Sequence, residues 1–520
     1  MITSVFQTLA HFTWFLPGLL LWAAYPPMGE RADALFALAP LLWLSRRATS
    51  ARESVVRWSQ SGLFFWIATL SWMPAIVKNG GPWSLVVLGW FALAAYCAAY
   101  FAAYGYLSSV YWRWARGRAY YWRLLGVLAV EPVLWCGLEL VRSRLGGGFA
   151  WNQLGVVPIN SGFGGPAAWG GVYLCSAVVV LINGTIAGIA ERMWKPERSG
   201  FANLKRLGSL ETLLAFGLVF GVYQLARPST STSQAAVLKV ALVQRNFPCV
   251  FKAQEENPYE VYGKLLENVA EMRPDLVVLP ESGLCEFGPV DQQGAIRFAA
   301  WVREKTGAAL LAGGTRYAEG LTYNSAAHYG TNGEYRVYDK VHLVPFGEFI
   351  PGDKWFPALQ KLAPVGSCTP GELQVLEVCG VPSGVAICFE DTDSAQMREL
   401  AAKGARVLFF VTNDSWFSHS IEAEQHAWQA VARAIETGLP VVRVGNGGVS
   451  GTISGEGRVT WLLGPNGRAL TDRRGTMFDR VLPAEGEPTP YVRFGDWPLG
   501  IAFGLLIVCL ILVKYRNNHE

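Results

Sequence analysis

Charge is scarce in this chain of 520 residues: Asp, Glu, Lys and Arg make up only 16% of it, against 51% hydrophobic residues, and the net charge is +4. So little charge excludes an ordinary soluble protein. The soluble part has no basic cluster interleaved with aromatics, so nucleic acid is not an expected partner. The six histidines are scattered without a ligand pair, and the nine cysteines show no finger spacing. Neither a metal nor another cofactor is therefore expected. Cys97, Cys136, Cys175 and Cys509 fall in apolar segments, and the odd five left elsewhere argue against a disulfide framework. The first apolar segment lacks a small-residue cleavage site and reads as an uncleaved anchor, not a signal peptide.

What the chain does have is apolar residues in blocks. Residues 1–228 are dense in them, 235–485 look like a soluble α/β domain, and 497–513 are apolar again. This predicts a polytopic helical membrane domain over 1–227 with about seven helices, an extramembrane α/β domain over 235–485, and a last spanning helix at 496–513. A spanning helix needs about 20 mostly apolar residues. That template fits eight segments: 4–25, 32–45, 58–77, 83–111, 123–141, 167–190, 210–226 and 496–513, the second short enough for a half-buried hairpin. Arg46, Arg47, Arg52 and Arg57, then Arg113, Arg116, Arg118 and Arg123, then Arg192, Lys195, Arg198, Lys205 and Arg206 mark alternate loops as cytoplasmic. Both termini then fall inside, and 228–495 outside, which in a bacterial cell is the periplasm or cell surface. In the outside loop 146–155, Phe149 and Trp151 follow three glycines and read either as an aromatic belt or as a floor for the soluble domain. Glu139 and Arg142, one turn apart, are expected to pair, whereas Glu131 lies deeper and needs a partner that the sequence does not name.

After the Ser/Thr linker at 227–233, apolar runs of strand length (Val237–Gln244, Leu276–Pro280, Ala308–Gly313, Gly384–Cys388, Val407–Thr412) alternate with helical patterns (Glu256–Met272, Ala295–Lys305, Ser394–Lys403, Ala423–Thr437). Such alternation predicts sheets covered on at least one face. Three reactive groups stand at strand ends: Glu281, Lys340 and Cys388. A cysteine at a strand end is more often a packed small hydrophobe. Here, however, a strand-to-helix turn would expose the sulfur near backbone N–H groups and a helix start, an arrangement expected to lower its pKa and favour the thiolate. A partly desolvated carboxylate at Glu281 can take the thiol proton, and the Lys340 ammonium can stabilise an oxyanion. Cys285, four residues after Glu281, is the rival thiol but lacks that delivery. His342 and His426 are given structural hydrogen bonding, not the role of base.

Pro280-Glu281, Tyr338-Asp339-Lys340 and Ala386-Ile387-Cys388-Phe389-Glu390 resemble the Glu-Lys-Cys motifs of the nitrilase, or carbon–nitrogen hydrolase, superfamily. The membrane segments, Lys340-Val341-His342-Leu343-Val344-Pro345-Phe346-Gly347-Glu348, Thr412-Asn413-Asp414-Ser415-Trp416-Phe417 and Gly148-Phe149-Ala150-Trp151 are similar to its apolipoprotein N-acyltransferase branch. The resemblance implies a nitrilase-like α-β-β-α sandwich. It also implies ping-pong transfer of an acyl chain from a phospholipid, typically phosphatidylethanolamine, through a cysteine thioester to the α-amino group of the diacylglyceryl-cysteine of a bacterial lipoprotein. It makes Cys388 the nucleophile, Glu281 the base and Lys340 the oxyanion stabiliser, with Glu348, Phe389, Glu390, Trp416, Trp151 and Phe149 supporting them or the substrate. A monomer in the bacterial inner membrane is expected. Phe389 stands where the family commonly has Tyr, and no Trp follows Pro248, which leaves Phe251 as a substitute. Trp355–Leu359 is a candidate aromatic loop. The alternatives are a membrane-anchored amidase of the nitrilase type and a non-catalytic scaffold.

Overall fold

The computed structural model describes residues 13–193, 210–225, 236–248, 256–352 and 367–517; the sites considered at Phe251 and Trp355–Leu359 lie outside them. The chain divides into a helical unit (Met1–Pro74, Ser84–Arg227, Phe494–Glu520) and an α/β unit (Ala75–Trp83, Pro228–Arg493).

In the α/β unit the strands alternate between two buried faces because their side chains alternate. The first sheet has the order β12-β1-β2-β3-β4-β5: β1 Leu238–Gln244, β2 Leu276–Val278, β3 Ala309–Ala318, β4 Leu321–Tyr329, β5 Tyr335–Asp339 and β12 Gly475–Val481. The second has the order β11-β10-β9-β8-β7-β6: β6 Val375–Val378, β7 Val381–Ile387, β8 Val407–Asn413, β9 Val441–Asn446, β10 Gly451–Ile453 and β11 Val459–Trp461. From β1, Val240 and Leu242 pack inward with Val278 and Leu311 against Val385, Ile387, Phe409 and Val444 of the other sheet. Ala241 and Val243 face outward, under Tyr262, Leu266, Phe298 and Val302 of two helices, Pro258–Ala270 and Gln293–Thr306. The helices Ser394–Ala402 and Glu422–Thr437 pack on the second sheet. The result is the expected α-β-β-α sandwich. Each fully buried side chain of this size contributes about 1.5–3 kcal/mol. Local chemistry sets the helix ends: Asn257 caps Tyr259 N–H at 3.0 Å, and Gly307 stops the second helix in the left-handed region at φ 75°.

In the helical unit the main helices are α1 Leu16–Ala23, α2 Ala39–Arg47, α3 Ala51–Thr69 and α4 Trp83–Ala115. They are followed by α5 Tyr120–Arg142, α6 Ala167–Met193, α7 Leu210–Leu225 and, after the α/β unit, α8 Trp497–Asn517. Among the described residues five helices are long and apolar enough to span a membrane, with α7 a shorter apolar helix. Of the eight segments read as spans, 58–77, 83–111, 123–141, 167–190 and 496–513 coincide with these five helices and 210–226 with α7, while the first begins outside the described residues. Segment 32–45 breaks into a 3₁₀ turn, Arg31–Leu35, and the nine-residue α2. Segment 58–77 ends as a regular helix at Thr69, and its tail joins the α/β unit. Arg46 is corrected too: it is not a loop cation but 5% exposed. It supplies the missing partner of Glu131, with Nε and Nη2 at 3.0 and 2.7 Å, while Trp112 Nε1 donates to the same carboxylate at 3.0 Å. Glu131 follows directly on a π-turn, Gly126–Val130. Nor do Glu139 and Arg142 form an ion pair among the described residues. Glu139 Oε1 accepts Leu154 N–H at 2.8 Å, and Arg142 Nη1 donates to the carbonyls of Phe149 and Trp151 at 2.7 and 2.9 Å. The loop between them needs its backbone satisfied where water is scarce, and both charged groups are drawn into that task.

Removing one member of a buried ion pair costs about 3–5 kcal/mol because the other is left unpaired, while removing both is often neutral. Arg46→Met should therefore lower the thermal unfolding midpoint of the detergent-solubilised protein markedly, and Arg46→Met with Glu131→Leu should recover most of the loss. A double variant as unstable as the single one would show that the pair does not carry this stability.

Candidate active site

Three turns that leave strand ends build the site. Glu281 follows β2 on a tight turn and is 8% exposed. A Cβ on Gly313 of the neighbouring β3 would sit 2.6 Å from Glu281 Cα, so only glycine lets that turn lie so close. Lys340 leaves β5 and is 1% exposed. Cys388 leaves β7 with φ +54°, a left-handed conformation rare for a residue with a side chain.

The polar contacts join these turns. Lys340 Nζ lies 3.0 and 2.9 Å from the two oxygens of Glu348. Asn324, on β4, donates through Nδ2 to both Glu281 Oε1 (2.7 Å) and Glu348 Oε1 (2.6 Å). Glu390 is wholly buried. It accepts from Tyr338 Oη (2.9 Å), Val341 N–H (2.8 Å), His342 N–H (3.0 Å) and Ile387 N–H (2.8 Å). Its carboxylate thus fastens the segment around Lys340 to the turn carrying Cys388. Phe389 turns its ring edge-on to His342 at 5.9 Å. Trp416 is half-buried, and its carbonyl accepts Asn79 Nδ2 at 2.7 Å.

Burial dominates the electrostatics. It pushes the Glu281 carboxyl up, with Lys340 opposing and Glu348 adding to the rise. Burial would strip Lys340 of its proton, but Glu348, Cys388 and Glu281 together hold it well above its ordinary value. The Cys388 thiol is pushed well up, by burial first and by Glu281 second, against Lys340. This corrects the expected thiolate. The residues after the sulfur form a 3₁₀ turn, Cys388–Thr392, and the following α-helix is capped by Asp393, whose Oδ1 accepts Ala395 and Gln396 N–H at 2.9 and 3.3 Å. Its positive end is thus already satisfied. The arrangement holds a neutral thiol beside a carboxylate able to take its proton and an ammonium able to meet a developing negative charge.

Of the sequence-selected residues, Glu281, Lys340, Cys388, Glu348, Phe389 and Glu390 are tied together by these contacts and fields. Trp416 lies on a neighbouring turn of the same unit. Phe149 and Trp151 belong to the helical unit, where their rings stack 6.4 Å apart and Trp151 is 2% exposed; packed in this way, Trp151 is not part of a surface belt. Cys285 sits on an exposed turn, its thiol pushed up by burial with Arg245 opposing. His342 binds through its backbone and lies 3.6 Å from Asp393, while His426 is held in a buried ionic cluster. Sequence reasoning missed Asn324. Its one signal is an amide within an otherwise strand-like run, a residue type that strands disfavour.

Comparison with known proteins agrees with this architecture. The model of the apolipoprotein N-acyltransferase N-terminal domain matches residues 17–185, and that of the carbon–nitrogen hydrolase matches 239–476. Apolipoprotein N-acyltransferase of Ralstonia nicotianae is 30% identical over 93% of this chain and 89% of its own, and that of Geobacter metallireducens 29% identical over 97% and 95%. A carbon–nitrogen hydrolase structure from Helicobacter pylori G27 aligns at 20% identity and TM-score 0.37, covering 47% of this chain and 89% of that one.

The signs of these shifts can be checked by alkylating Cys388 with iodoacetamide and following its peptide by mass spectrometry. Only the thiolate reacts, so Glu281→Gln, which removes a charge that raises the thiol pKa, should speed labelling at pH 8. Lys340→Met, which removes the opposing charge, should slow it. The chain belongs to the apolipoprotein N-acyltransferase family of enzymes, with a carbon–nitrogen hydrolase unit as its α/β half.

Proposed function

We propose that this multi-pass membrane enzyme transfers an acyl chain from a phospholipid, in the first instance phosphatidylethanolamine, to the N-terminal amine of a diacylglyceryl-cysteine lipoprotein. The observation that carries the reading is the convergence of Glu281, Lys340 and Cys388 from three strand ends into one buried electrostatic cluster. Glu281 takes the thiol proton as the sulfur attacks the ester carbonyl, and Lys340 and the Phe389 N–H offset the oxyanion. Collapse of the intermediate expels the lysophospholipid alkoxide, which receives the proton from Glu281 and leaves a thioester on Cys388. The acceptor's amine then attacks the thioester, Glu281 takes a proton from the nitrogen and returns it to the departing sulfur, and the amide forms. Glu348 and Asn324 hold Lys340 and Glu281, Glu390 holds the turns, and Phe389 with Trp416 offers apolar surface to acyl chains. One chain carries all three reactive groups, so a monomer would hold a complete site.

The cation-rich ends of α2 to α3, α4 to α5 and α6 to α7 alternate with cation-poor loops, and Lys514 and Arg516 end α8. By the positive-inside rule these ends are cytoplasmic, both termini lie on that side, and the α/β unit faces the periplasm from the inner membrane. Tethering at both ends keeps the thiol at the surface where both lipid substrates are found and raises their effective concentration.

Incubation with phosphatidylethanolamine vesicles alone should add one acyl chain to the peptide containing Cys388, and subsequent addition of a diacylated lipopeptide should transfer it to the peptide's amine without free fatty acid. Release of free acid instead would identify an amidase-like hydrolase, and the same adduct on Cys285 would overturn the assignment of the nucleophile. Asn324→Ala, which loses two bonds to charged groups, should slow acylation of Cys388 by roughly 10–100-fold, the scale of one such bond at about 1.5–3 kcal/mol.

A further inference from the structure

Behind the nucleophile turn, five ionisable side chains converge that the transfer chemistry leaves unused. Asp391 stands in the turn that begins at Cys388, and Asp414 begins the 3₁₀ turn Asp414–Phe417 that closes β8. Glu422 and His426 sit one turn apart on the helix Glu422–Thr437, and Arg443 is on β9. None is more than 3% exposed. His426 Nε2 lies 2.9 Å from Asp391 Oδ1, and its Nδ1 lies 2.9 Å from Asp414 Oδ1 and 3.4 Å from Glu422 Oε1. Arg443 bridges the same two aspartates, Nη1 to Asp391 Oδ2 at 2.5 Å and Nη2 to Asp414 Oδ2 at 3.2 Å. Thr412 Oγ1 donates to Asp414 Oδ1 at 2.7 Å. A Cβ on Gly448 would fall 2.0 Å from Asp414 Oδ2, so the fold keeps a bare backbone there to seat the carboxylate.

The charges close on themselves. A neutral imidazole has one N–H donor, yet His426 faces a carboxylate at each nitrogen, which calls for the imidazolium. Burial works against that charge, but Asp391 and Asp414 outweigh it and raise the imidazole to about 10. Burial and Asp414 keep Glu422 well above the usual carboxyl range, which favours its neutral form. Two aspartates are then matched by His426 and Arg443. The donor atoms of Asp414, Glu422 and His426 lie within 4.8 Å of one another, a spacing a metal ion could use. The Arg443 guanidinium already supplies the positive charge at this place.

The cluster borders the reacting groups. Asp391 is three residues beyond the strained Cys388, and the Asp414 carboxylate acts on both Cys388 and Glu281. We propose that His426, as an imidazolium, is a positioning residue: with Arg443 it neutralises Asp391 and Asp414, which fixes the turn presenting Cys388 and shields the Glu281–Cys388 pair from buried negative charge. The inference rests on Cys388 being the acylated thiol.

The test is single-turnover acylation of Cys388 in the full chain by phosphatidylethanolamine vesicles, read by intact mass. His426→Gln should lower the saturating rate by about 100-fold, the scale of a small displacement at a reacting centre, with the half-saturating lipid concentration unchanged. Adding Asp414→Asn, which removes the charge that His426 offset, should restore the rate roughly tenfold. Cys388 alkylation should shift to higher pH in the single variant and back in the double. A single variant at the wild-type rate, or a double variant no faster than the single, overturns the proposal. Should these variants lose their circular dichroism signature, Glu422→Gln decides: it imitates a protonated carboxyl and should acylate at the wild-type rate, and a large loss overturns the charge assignment. One metal ion per wild-type chain, absent from His426→Gln, also overturns it. If the wild-type chain takes up no acyl group, the acyl-transfer reading itself falls; acylation of the wild type with insensitive variants removes this inference alone.

Discussion

The carboxylate of Glu390 is the constraint on which the site depends. It sits in the seam between two sheets, wholly buried, and spends its acceptor capacity on a tyrosine hydroxyl and three backbone N–H groups drawn from both sides of that seam. A buried carboxylate without such donors would be costly, so the chain segments that supply them are held wherever the carboxylate is. Because Glu390 is two residues from Cys388 and its donors flank Lys340, one interaction sets the distance between groups 48 positions apart in sequence. Asn324 does the same for Glu281 and Glu348 from within a strand. The positive φ at Cys388 persists because these contacts, together with the bonds of Asp391, over-determine the turn.

Burial also decides what the thiol is at rest. A strand-to-helix elbow suggests a standing thiolate, but the enclosed carboxylates outweigh the single ammonium, and both thiol and base sit above their ordinary values. In the proposed mechanism the proton therefore leaves the sulfur only as negative charge passes to the substrate carbonyl oxygen. If the cysteine carries an acyl chain, as proposed, this has a physical advantage: the neutral thiol is less open to oxidation and alkylation than a thiolate while no substrate is present.

Much of the fold was legible because it is written in local periodicity. The strand-length apolar runs at 237–244, 384–388 and 407–412 and the four helical patterns reappear within a few residues of their predicted bounds, and the three motifs expected at strand ends lie just beyond the ends of β2, β5 and β7. The strand β4 was not foreseen, since Thr322, Tyr323, Asn324 and Ser325 interrupt any simple apolar run. The bond from Arg46 to Glu131 was hidden by its separation of 85 residues and by the reading of Arg46 as a loop cation. The direction of the thiol shift was missed for a different reason. It depends on how many carboxylates surround the sulfur in space, and no spacing along the chain reports that.

The same residues bear on how such a cluster would favour an amine over water, as the proposed function requires. On the proposed reading the amine that resolves the thioester gives its proton to Glu281, which water could do equally well, so the chemistry of the cluster does not choose between them. The choice has to come from access: Glu281, Lys340 and Glu390 are nearly closed to solvent, and Cys388 and Phe389 are only half-exposed. On the proposed reading, an acceptor whose own lipid anchor lies in the membrane, brought to a thiol unit tethered there at both ends, arrives at high local concentration, while the burial of Glu281 and Lys340 keeps water from the base and the ammonium. On the proposed reading, transferase behaviour is thus a property of the tether and the enclosure, laid over a set of reactive groups that the hydrolase fold already provides.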